Sequence, residues 1–131
     1  MRSHTGQQLL HQSRKHQDLQ VWQLGMTLVK EVYAATRQFP DVEKFALCSQ
    51  MQRAAISIPS NVAEGAARRG DKEFLQFLYI ARGSLSELET QVLIGKDLGY
   101  INNDEDLLNL TNELFAKLSG LINATWKKVN G

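Results

Sequence analysis

The stretch FLQFLYIARGSLSELETQVLIG, residues 74–95, decides the fold. Apolar and small residues recur in it at alternating steps of four and three, which is the pattern of a helix packed at a small angle against its neighbours. The predicted core seam consists of Phe74, Leu78, Ala81, Leu85, Leu88, Val92 and Gly95. Asp71 is the expected cap of this helix, and Gly99 is expected to end it.

The segment nearest the N-terminus predicts a helix with two apolar stripes. It is expected to begin at Asp18, whose carboxylate can cap the first turn, and to end at Pro40, which cannot donate the next backbone hydrogen bond. The stripes are Trp22, Met26, Val29, Tyr33 and Thr36, and Leu24, Leu28 and Val32. Such a wide apolar surface indicates a helix that packs against two neighbours.

A helix rich in small residues is predicted between these two. It begins somewhere in residues 41–47, and its core stripe is Leu47, Met51, Ala54, Ile58 and Val62. Pro59 should kink this helix, because the hydrogen bond to the carbonyl of Ala55 is lost. Gly70 is expected to stop the helix, with two arginines in its last turn.

A fourth helix follows, with Asn103 as its expected cap. Its stripe is Leu107, Leu110, Leu114, Leu118, Leu121 and Thr125, joined by Leu108, Phe115 and Ile122. Four helices with short connections predict an all-α fold, an antiparallel up-down-up-down four-helix bundle in one domain. The bundle is expected to span residues 18–131, and residues 1–17 are expected to form a flexible polar tail.

Composition places the chain among ordinary globular proteins. It has 131 residues, of which 43% are hydrophobic and 22% charged, and its net charge is +1. The single cysteine, Cys48, allows no internal disulfide, and an inert core thiol is expected there. Because we find neither a signal peptide nor a membrane span, we expect a soluble, cytoplasmic protein without a membrane partner.

The residues needed for the common chemistries of helical bundles are absent from the sequence. All three histidines, His4, His11 and His16, precede the first helix, and no Glu-x-x-His pair exists to hold a di-metal centre. There is no glycine-rich phosphate loop, no nucleophile elbow and no cysteine–histidine pair. We therefore expect no metal, no cofactor and no catalytic residue, and hence no enzyme.

One polar row at helical spacing admits two interpretations. The row comprises Arg53, Asn61 and Glu64 on the second helix, and Arg82 and Glu89 on the third. It can be a paired-charge site between helices that binds a ligand or sets the register of an oligomer. Alternatively, it is a solvated face on which Glu64 and Arg68 form an i,i+4 ion pair worth about 0.2–0.5 kcal/mol.

Charge is distributed unevenly between the two ends of the predicted bundle. One end gathers Arg14, Lys15, Arg68, Arg69, Lys72, Lys127 and Lys128. These cations face Asp18, Glu64, Asp71 and Glu73. The other end holds six acids, Asp41, Glu43, Asp97, Asp104, Glu105 and Asp106, against Arg37, Lys44 and Lys96. Such a basic end would attract DNA or RNA in a salt-dependent way. Trp126 is the one aromatic residue expected there, so contact with phosphates rather than bases is predicted.

Several stretches together resemble a known family. They are QMQRAAISIPSNVAEG at 50–65 followed by Arg68, EFLQFL at 73–78, ARGS at 81–84, ELE at 87–89, LQVWQ at 19–23, and Phe39-Pro40. This set is similar to the four helix bundle proteins encoded in intervening sequences of bacterial 23S ribosomal RNA genes, and the resemblance covers about residues 18–127. The family is in turn similar to the accessory protein of diversity-generating retroelements, a ring-like pentamer that binds nucleic acid and works with a reverse transcriptase.

The resemblance implies a homo-oligomer, with a homopentamer as the expected form. It also implies nucleic acid, and a reverse transcriptase or another protein, as partners. It implies no catalytic residues. Two functions therefore remain open: an accessory protein that contacts nucleic acid through a basic rim, and a scaffold that binds a protein partner and has no role with nucleic acid.

Overall fold

The computed structural model describes residues 14–131, which form an antiparallel up-down-up-down bundle. The helices are α1 (Gln20–Thr36), α2 (Leu47–Ala66), α3 (Asp71–Asp97) and α4 (Glu105–Asn130), and short 3-10 turns occupy Lys15–Asp18 and Asp41–Glu43. Each helix contacts the next along the chain, and α1 also contacts α4, which closes the bundle. Within these residues there is no strand, and no helix is long and apolar enough to cross a membrane. The predicted all-α fold is confirmed.

Residues 1–13 lie outside the described residues. The predicted polar tail, residues 1–17, falls mostly within them, and its flexibility stays a prediction. The last part of that segment is described: Arg14 precedes the 3-10 turn Lys15–Asp18.

The predicted seam of α3 lies at the centre of the core. Leu78, Leu85 and Leu88 are fully buried, as are Ala81 and Val92. At the start of the helix the prediction is off by one position. Phe74 is half-buried, and Leu75 enters the core instead. A straight α-helix drifts away from a strict seven-residue repeat, so the buried face has moved by one residue at this end.

Of the two stripes predicted for α1, the one with Leu28 and Val32 lies in the core, whereas most of the stripe that begins at Trp22 does not. The buried residues of α1 are Val21, Gly25, Leu28, Val32 and Thr36. Met26 is 39% exposed and Tyr33 is 37% exposed. The reason is the close fit of Gly25 against the ring of Pro59: a Cβ atom at Gly25 would lie 3.3 Å from Cβ and Cδ of Pro59 in α2. This contact turns the face that carries Gly25 towards α2.

The predicted helix caps Asp18, Asp71 and Asn103 are wrong. The N-cap positions of α1, α3 and α4 are occupied instead by Leu19, Gly70 and Asp104, and none of them makes a side-chain capping hydrogen bond. Asp18 belongs to the preceding 3-10 turn. Asp71 is the first helical residue of α3, where its negative charge still interacts favourably with the helix dipole.

The end of α2 also differs from the prediction. The helix ends at Ala66, so Arg68 and Arg69 lie in the loop rather than in the last turn. Gly70 is the N-cap of α3 and does not stop α2. Pro59 lies inside α2 as predicted, and the kink stays a prediction.

Gly99 ends α3 as predicted. Its backbone is left-handed, with φ of 80°. The amide of Tyr100 donates to the carbonyl of Gly95 at 2.9 Å, and the amide of Gly99 donates to the carbonyl of Lys96 at 3.0 Å. These two hydrogen bonds make a Schellman motif, which satisfies the last carbonyls of the helix.

Candidate functional site

A hollow of about 220 Å³ lies at the predicted basic end of the bundle. Its lining combines cations with apolar and small residues. The lining residues are Lys15, Leu19, Gly65, Ala66, Arg68, Arg69, Gly70, Asp71, Phe74, Leu121, Thr125 and Lys128. We call this feature the basic hollow. Four of the seven predicted nucleic-acid-binding residues, Lys15, Arg68, Arg69 and Lys128, line it together, whereas Arg14, Lys72 and Lys127 are exposed and lie outside its lining.

Three segments far apart in the sequence supply these cations. Lys15 lies in the 3-10 turn that precedes α1. The side chain of Gln23 in α1 donates to the carbonyl of Gln17 at 2.8 Å, which ties this turn to the bundle. Arg68 and Arg69 come from the loop between α2 and α3, and Lys128 comes from the last turn of α4. The antiparallel topology brings all three segments to one end.

The floor of the basic hollow is apolar. Leu19, Phe74 and Leu121 pack against the core and are half-buried. Gly65 and Ala66 contribute little side-chain volume and so leave the space open. A Cβ atom at Gly65 would lie 2.6 Å from the Cβ of Phe77 in α3, so the helices approach closely here only because residue 65 is glycine.

The arginine at position 68 is held in place. Its Nη2 atom lies 2.9 Å from Oε2 of Glu64, which is the predicted i,i+4 ion pair. Its guanidinium group also lies 5.0 Å from the ring centre of Phe77, a cation–π distance. By contrast, Lys15, Arg69 and Lys128 form no ion pair with any residue in 14–131. Their charges are therefore available to an anion from solution.

The aromatic content of this end differs from the prediction. Trp126 is 50% exposed on the last turns of α4, but it does not line the hollow. Phe74 lines the hollow instead, and Phe77 lies beneath Arg68. Phe74 was predicted to lie in the core, and its place in the lining of the hollow was not predicted. The pair Phe74 and Phe77, one turn apart and just after the loop arginines, is the signal that could have indicated it.

The residues of the predicted polar row occupy separate places. Asn61 donates from Nδ2 to the Oγ of Ser57 at 2.9 Å, and Ser57 shares a 2.8 Å hydrogen bond with Ser84 between α2 and α3. Arg82 donates to Ser119 of α4 at 3.4 Å. The two remaining members, Arg53 and Glu89, form no ion pair within 14–131, and Glu64 pairs only with Arg68. Within the described chain, the row joins helices through hydroxyl groups rather than through paired charges.

The opposite end of the bundle carries a second cavity, of about 490 Å³, with mixed charge. It is lined by Tyr33, Thr36, Arg37, Phe39, Pro40, Asp41, Lys44, Phe45, Cys48, Ser49 and Gln52. Burial, followed by the nearby charge of Glu43, raises the pKa of the Cys48 thiol. A raised pKa keeps this thiol protonated, which lowers its reactivity as a nucleophile. No cluster of three or more metal-ligating side chains occurs among residues 14–131.

Comparison with known proteins adds a family. The sequence profile described as 23S rRNA-intervening sequence protein matches residues 17–120. A search of the curated proteins found no match. The matched range contains all of α1, α2 and α3 and more than half of α4. This chain belongs to the family of 23S rRNA-intervening sequence proteins.

Proposed function

We propose that this chain is a non-enzymatic, homo-oligomeric accessory protein that contacts nucleic acid through its basic end. The observation that carries the proposal is the meeting of Lys15, Arg68, Arg69 and Lys128 around one hollow. Three of these four cations have no ion-pair partner within 14–131, so a phosphate backbone can neutralise them without displacing an internal contact.

The expected binding is weak and depends little on sequence. Lysine and arginine contacts to phosphates position a protein on nucleic acid and carry no sequence information. Each phosphate neutralised releases condensed counterions, so the affinity should fall steeply as the salt concentration rises.

An apolar groove between α1 and α2 supports the homo-oligomer. It encloses about 320 Å³ and is lined by Trp22, Met26, Val29, Ile56, Pro59, Ser60 and Ala63. Met26 and Ile56 are 39% and 41% exposed in the isolated chain, and a neighbouring subunit would remove them from water. In a homopentameric ring, the form that the family resemblance implies, each subunit would add its basic end to one rim. Light scattering at micromolar protein should then give a mass well above that of a 14.8 kDa chain.

A scaffold that binds another protein is the second candidate function. The observation that favours it is the loop between α1 and α2, where Val42 is 80% exposed and Phe45 is 87% exposed. Exposed apolar side chains of this size are common at sites of protein association. A reverse transcriptase or another protein is the partner that the family resemblance implies. In this case the cations of the basic end would only keep the surface solvated.

A titration of fluorescent DNA and RNA separates the two functions. The triple variant Arg68→Gln, Arg69→Gln and Lys72→Gln should lose binding measured by fluorescence anisotropy at about 50 mM salt. Its matched control, with the same change in charge, consists of Lys30→Gln, Arg37→Gln and Lys117→Gln, all exposed and outside the basic hollow. Lys96 is unsuitable as a control, because it forms an ion pair with Asp104 at 3.1 Å.

The control variant should bind as the unmodified protein does, and both variants should keep the helical circular dichroism spectrum. If the unmodified protein binds neither DNA nor RNA at low salt, the nucleic-acid function is wrong and the scaffold is favoured. If both triple variants lose binding equally, the contact is a general effect of net charge rather than of the basic end.

A further inference from the structure

We propose that the basic hollow receives one unpaired nucleobase of a single strand, while the cations on its rim hold the adjoining phosphates. This inference rests on the proposed function and extends it, because it names the form of nucleic acid and the part that enters the protein. It differs from the expectation drawn from sequence, which was contact with phosphates alone.

The floor of the hollow provides the first argument. A site for phosphate alone needs donors and positive charge, and it gains nothing from apolar walls. Here Leu19, Leu121 and Phe74 form an apolar surface that water must cover in the unoccupied protein. A nucleobase presents a flat, weakly hydrated face to such a surface, and every base can stack on an aromatic ring. The apolar floor is therefore suited to the base and the charged rim to the phosphates.

The size of the hollow provides the second argument. Its volume of about 220 Å³ is below the roughly 300–1,000 Å³ of sites for drug-sized ligands. The volume admits one planar group but not a long acyl chain. An anionic lipid would also bring an apolar part next to a charged part, but its chain would not fit.

The rim provides the third argument. Lys15, Arg68, Arg69 and Lys128 approach the hollow from three segments, so the phosphates before and after an inserted base can each meet a cation. Asp71 is the single acid in the lining, and the four cations outnumber it. The ring of Phe77, 5.0 Å from the guanidinium of Arg68, restricts that side chain before any ligand arrives, which lowers the entropy lost on binding.

A single strand should therefore bind better than a duplex of the same sequence. In a duplex each base is paired and stacked, and a base must be pulled out of the stack before it can enter a pocket. A single strand does not incur that cost. The preference for the single strand over the duplex comes from the apolar floor. It should therefore persist at salt concentrations that weaken the binding of both.

The test compares three fluorescent probes of equal length in anisotropy titrations at about 50 mM and about 200 mM salt. The probes are a thymidine single strand, the same strand with abasic sites in place of the bases, and a blunt duplex. We expect the intact strand to bind about fivefold or more tightly than the abasic strand, which is the low end of the gain from one stacked base. The salt dependence of the two should be the same, because they carry the same phosphates.

Two variants locate the base. Ala66→Leu should fill the hollow and remove the preference for the intact strand, because Ala66 lines it at the end of α2. Ala67→Leu is the matched control, since Ala67 is exposed and does not line the hollow. Phe74→Leu keeps an apolar floor but removes the ring, and it should reduce the preference without changing the affinity for the abasic strand. Circular dichroism verifies that each variant is folded.

Each result supports or contradicts a distinct claim. Equal affinity for intact and abasic strands in the unmodified protein would overturn the base site and leave the proposed nucleic-acid function standing. No binding to any probe at low salt would overturn both. A preference that survives Ala66→Leu would place the base elsewhere and also overturn the inference. Vesicles containing anionic phospholipid serve as a further probe, and tighter binding to them than to the strands would assign the hollow to lipid instead.

Discussion

The two ends of the bundle use their charged and aromatic side chains in different ways. At the end away from the basic hollow, the hydroxyl of Tyr100 donates to Glu43 at 2.9 Å, and Lys96 pairs with Asp104 at 3.1 Å. The ring of Phe39 lies 5.2 Å from that of Tyr100. These contacts join the loop between α1 and α2 to the end of α3, and α3 to the start of α4. Side chains at this end are used to connect parts of the same chain.

At the basic end, most of the charge makes no such internal contact. Lys15, Arg69 and Lys128 have no ion pair within 14–131, and the space between them is open. Close packing at this end comes instead from Gly65, which lies against the side chains of Phe74 and Phe77 in α3. At this end apolar packing around a glycine, rather than polar contacts between segments, joins α2 to α3, and three of the four cations that line the hollow keep no ion pair within 14–131.

Two closely packed glycines, one near each end of the bundle, test this difference most strongly. A Cβ atom at Gly65 would meet the Cβ of Phe77 at 2.6 Å, whereas one at Gly95 would meet the flexible end of Ile101 at 3.0 Å. We expect Gly65→Ala to lower the free energy of unfolding by about 1–3 kcal/mol through overpacking. Gly95→Ala should be closer to neutral, because the gain in helix propensity of about 1 kcal/mol offsets a milder contact. Urea unfolding of both variants measures the difference, and equal losses would contradict it.

The two ion pairs should differ by a smaller amount. In the pair of Arg68 with Glu64 the side chains are 45% and 53% exposed, so a coupling of about 0.2–0.5 kcal/mol is expected. In the pair of Lys96 with Asp104 the carboxylate is only 14% exposed, so we expect a coupling near 1 kcal/mol. Double-mutant cycles with Gln, Asn and Met replacements give both values from denaturant unfolding. A larger coupling free energy for Arg68 with Glu64 than for Lys96 with Asp104 would contradict this prediction.

A single carboxylate should modulate binding at the basic end. Glu64→Gln removes the partner of Arg68 and raises the local positive charge without altering the lining of the hollow. The affinity for a single strand should rise by up to about fivefold, the equivalent of about 1 kcal/mol. Glu31→Gln, an exposed site on α1 with the same change in charge, is the control. Equal gains in both variants would show that only the net charge matters.

The smallest expected effect is a pH dependence confined to the opposite end. The hydrogen bond to Glu43 is the main factor that raises the pKa of Tyr100, and burial and the charge of Glu43 add to it. A pKa raised in the folded state means that the stabilisation is present below the ordinary tyrosine pKa, about 10, and is lost as pH rises through the folded value. Thermal melts from pH 8 upward should therefore show a small alkaline loss that Tyr100→Phe lacks. An identical profile in the variant would contradict the role of this hydrogen bond.

Much of the fold follows from hydropathy. The seam of α3 repeats so regularly that the bundle, its topology and the end of α3 at Gly99 could all be predicted. Because the topology assigns each loop to an end, the meeting of Lys15 with the loop arginines also followed from the sequence. These features depend on periodicity and chain order, which a single sequence displays directly.

The buried face of α1, the helix caps and the position of Phe74 could not be predicted. They depend on how the helices pack, and a hydropathy pattern does not contain that information. The buried face of α1 is set by the contact of Gly25 with Pro59, and the residues concerned are not strongly apolar. The caps failed because the helices begin at backbone positions that use no side chain to bond the first turn. Phe74 was assigned to the core because a one-residue drift at the end of a long helix leaves the hydrophobic pattern unchanged.

The origin of the basic hollow in three separate segments has a thermodynamic consequence. Lys15 and Lys128 are separated by almost the whole described chain, and only folding brings them to one cavity. The unfolded chain therefore does not present this arrangement of charges. A ligand that requires this arrangement binds the native state selectively, so its binding increases the free energy of unfolding. Once the site is near saturation, the melting temperature should rise with the logarithm of the ligand concentration. Isolated peptides from the loop or from the last turn of α4 should bind the same ligand far less tightly than the folded protein.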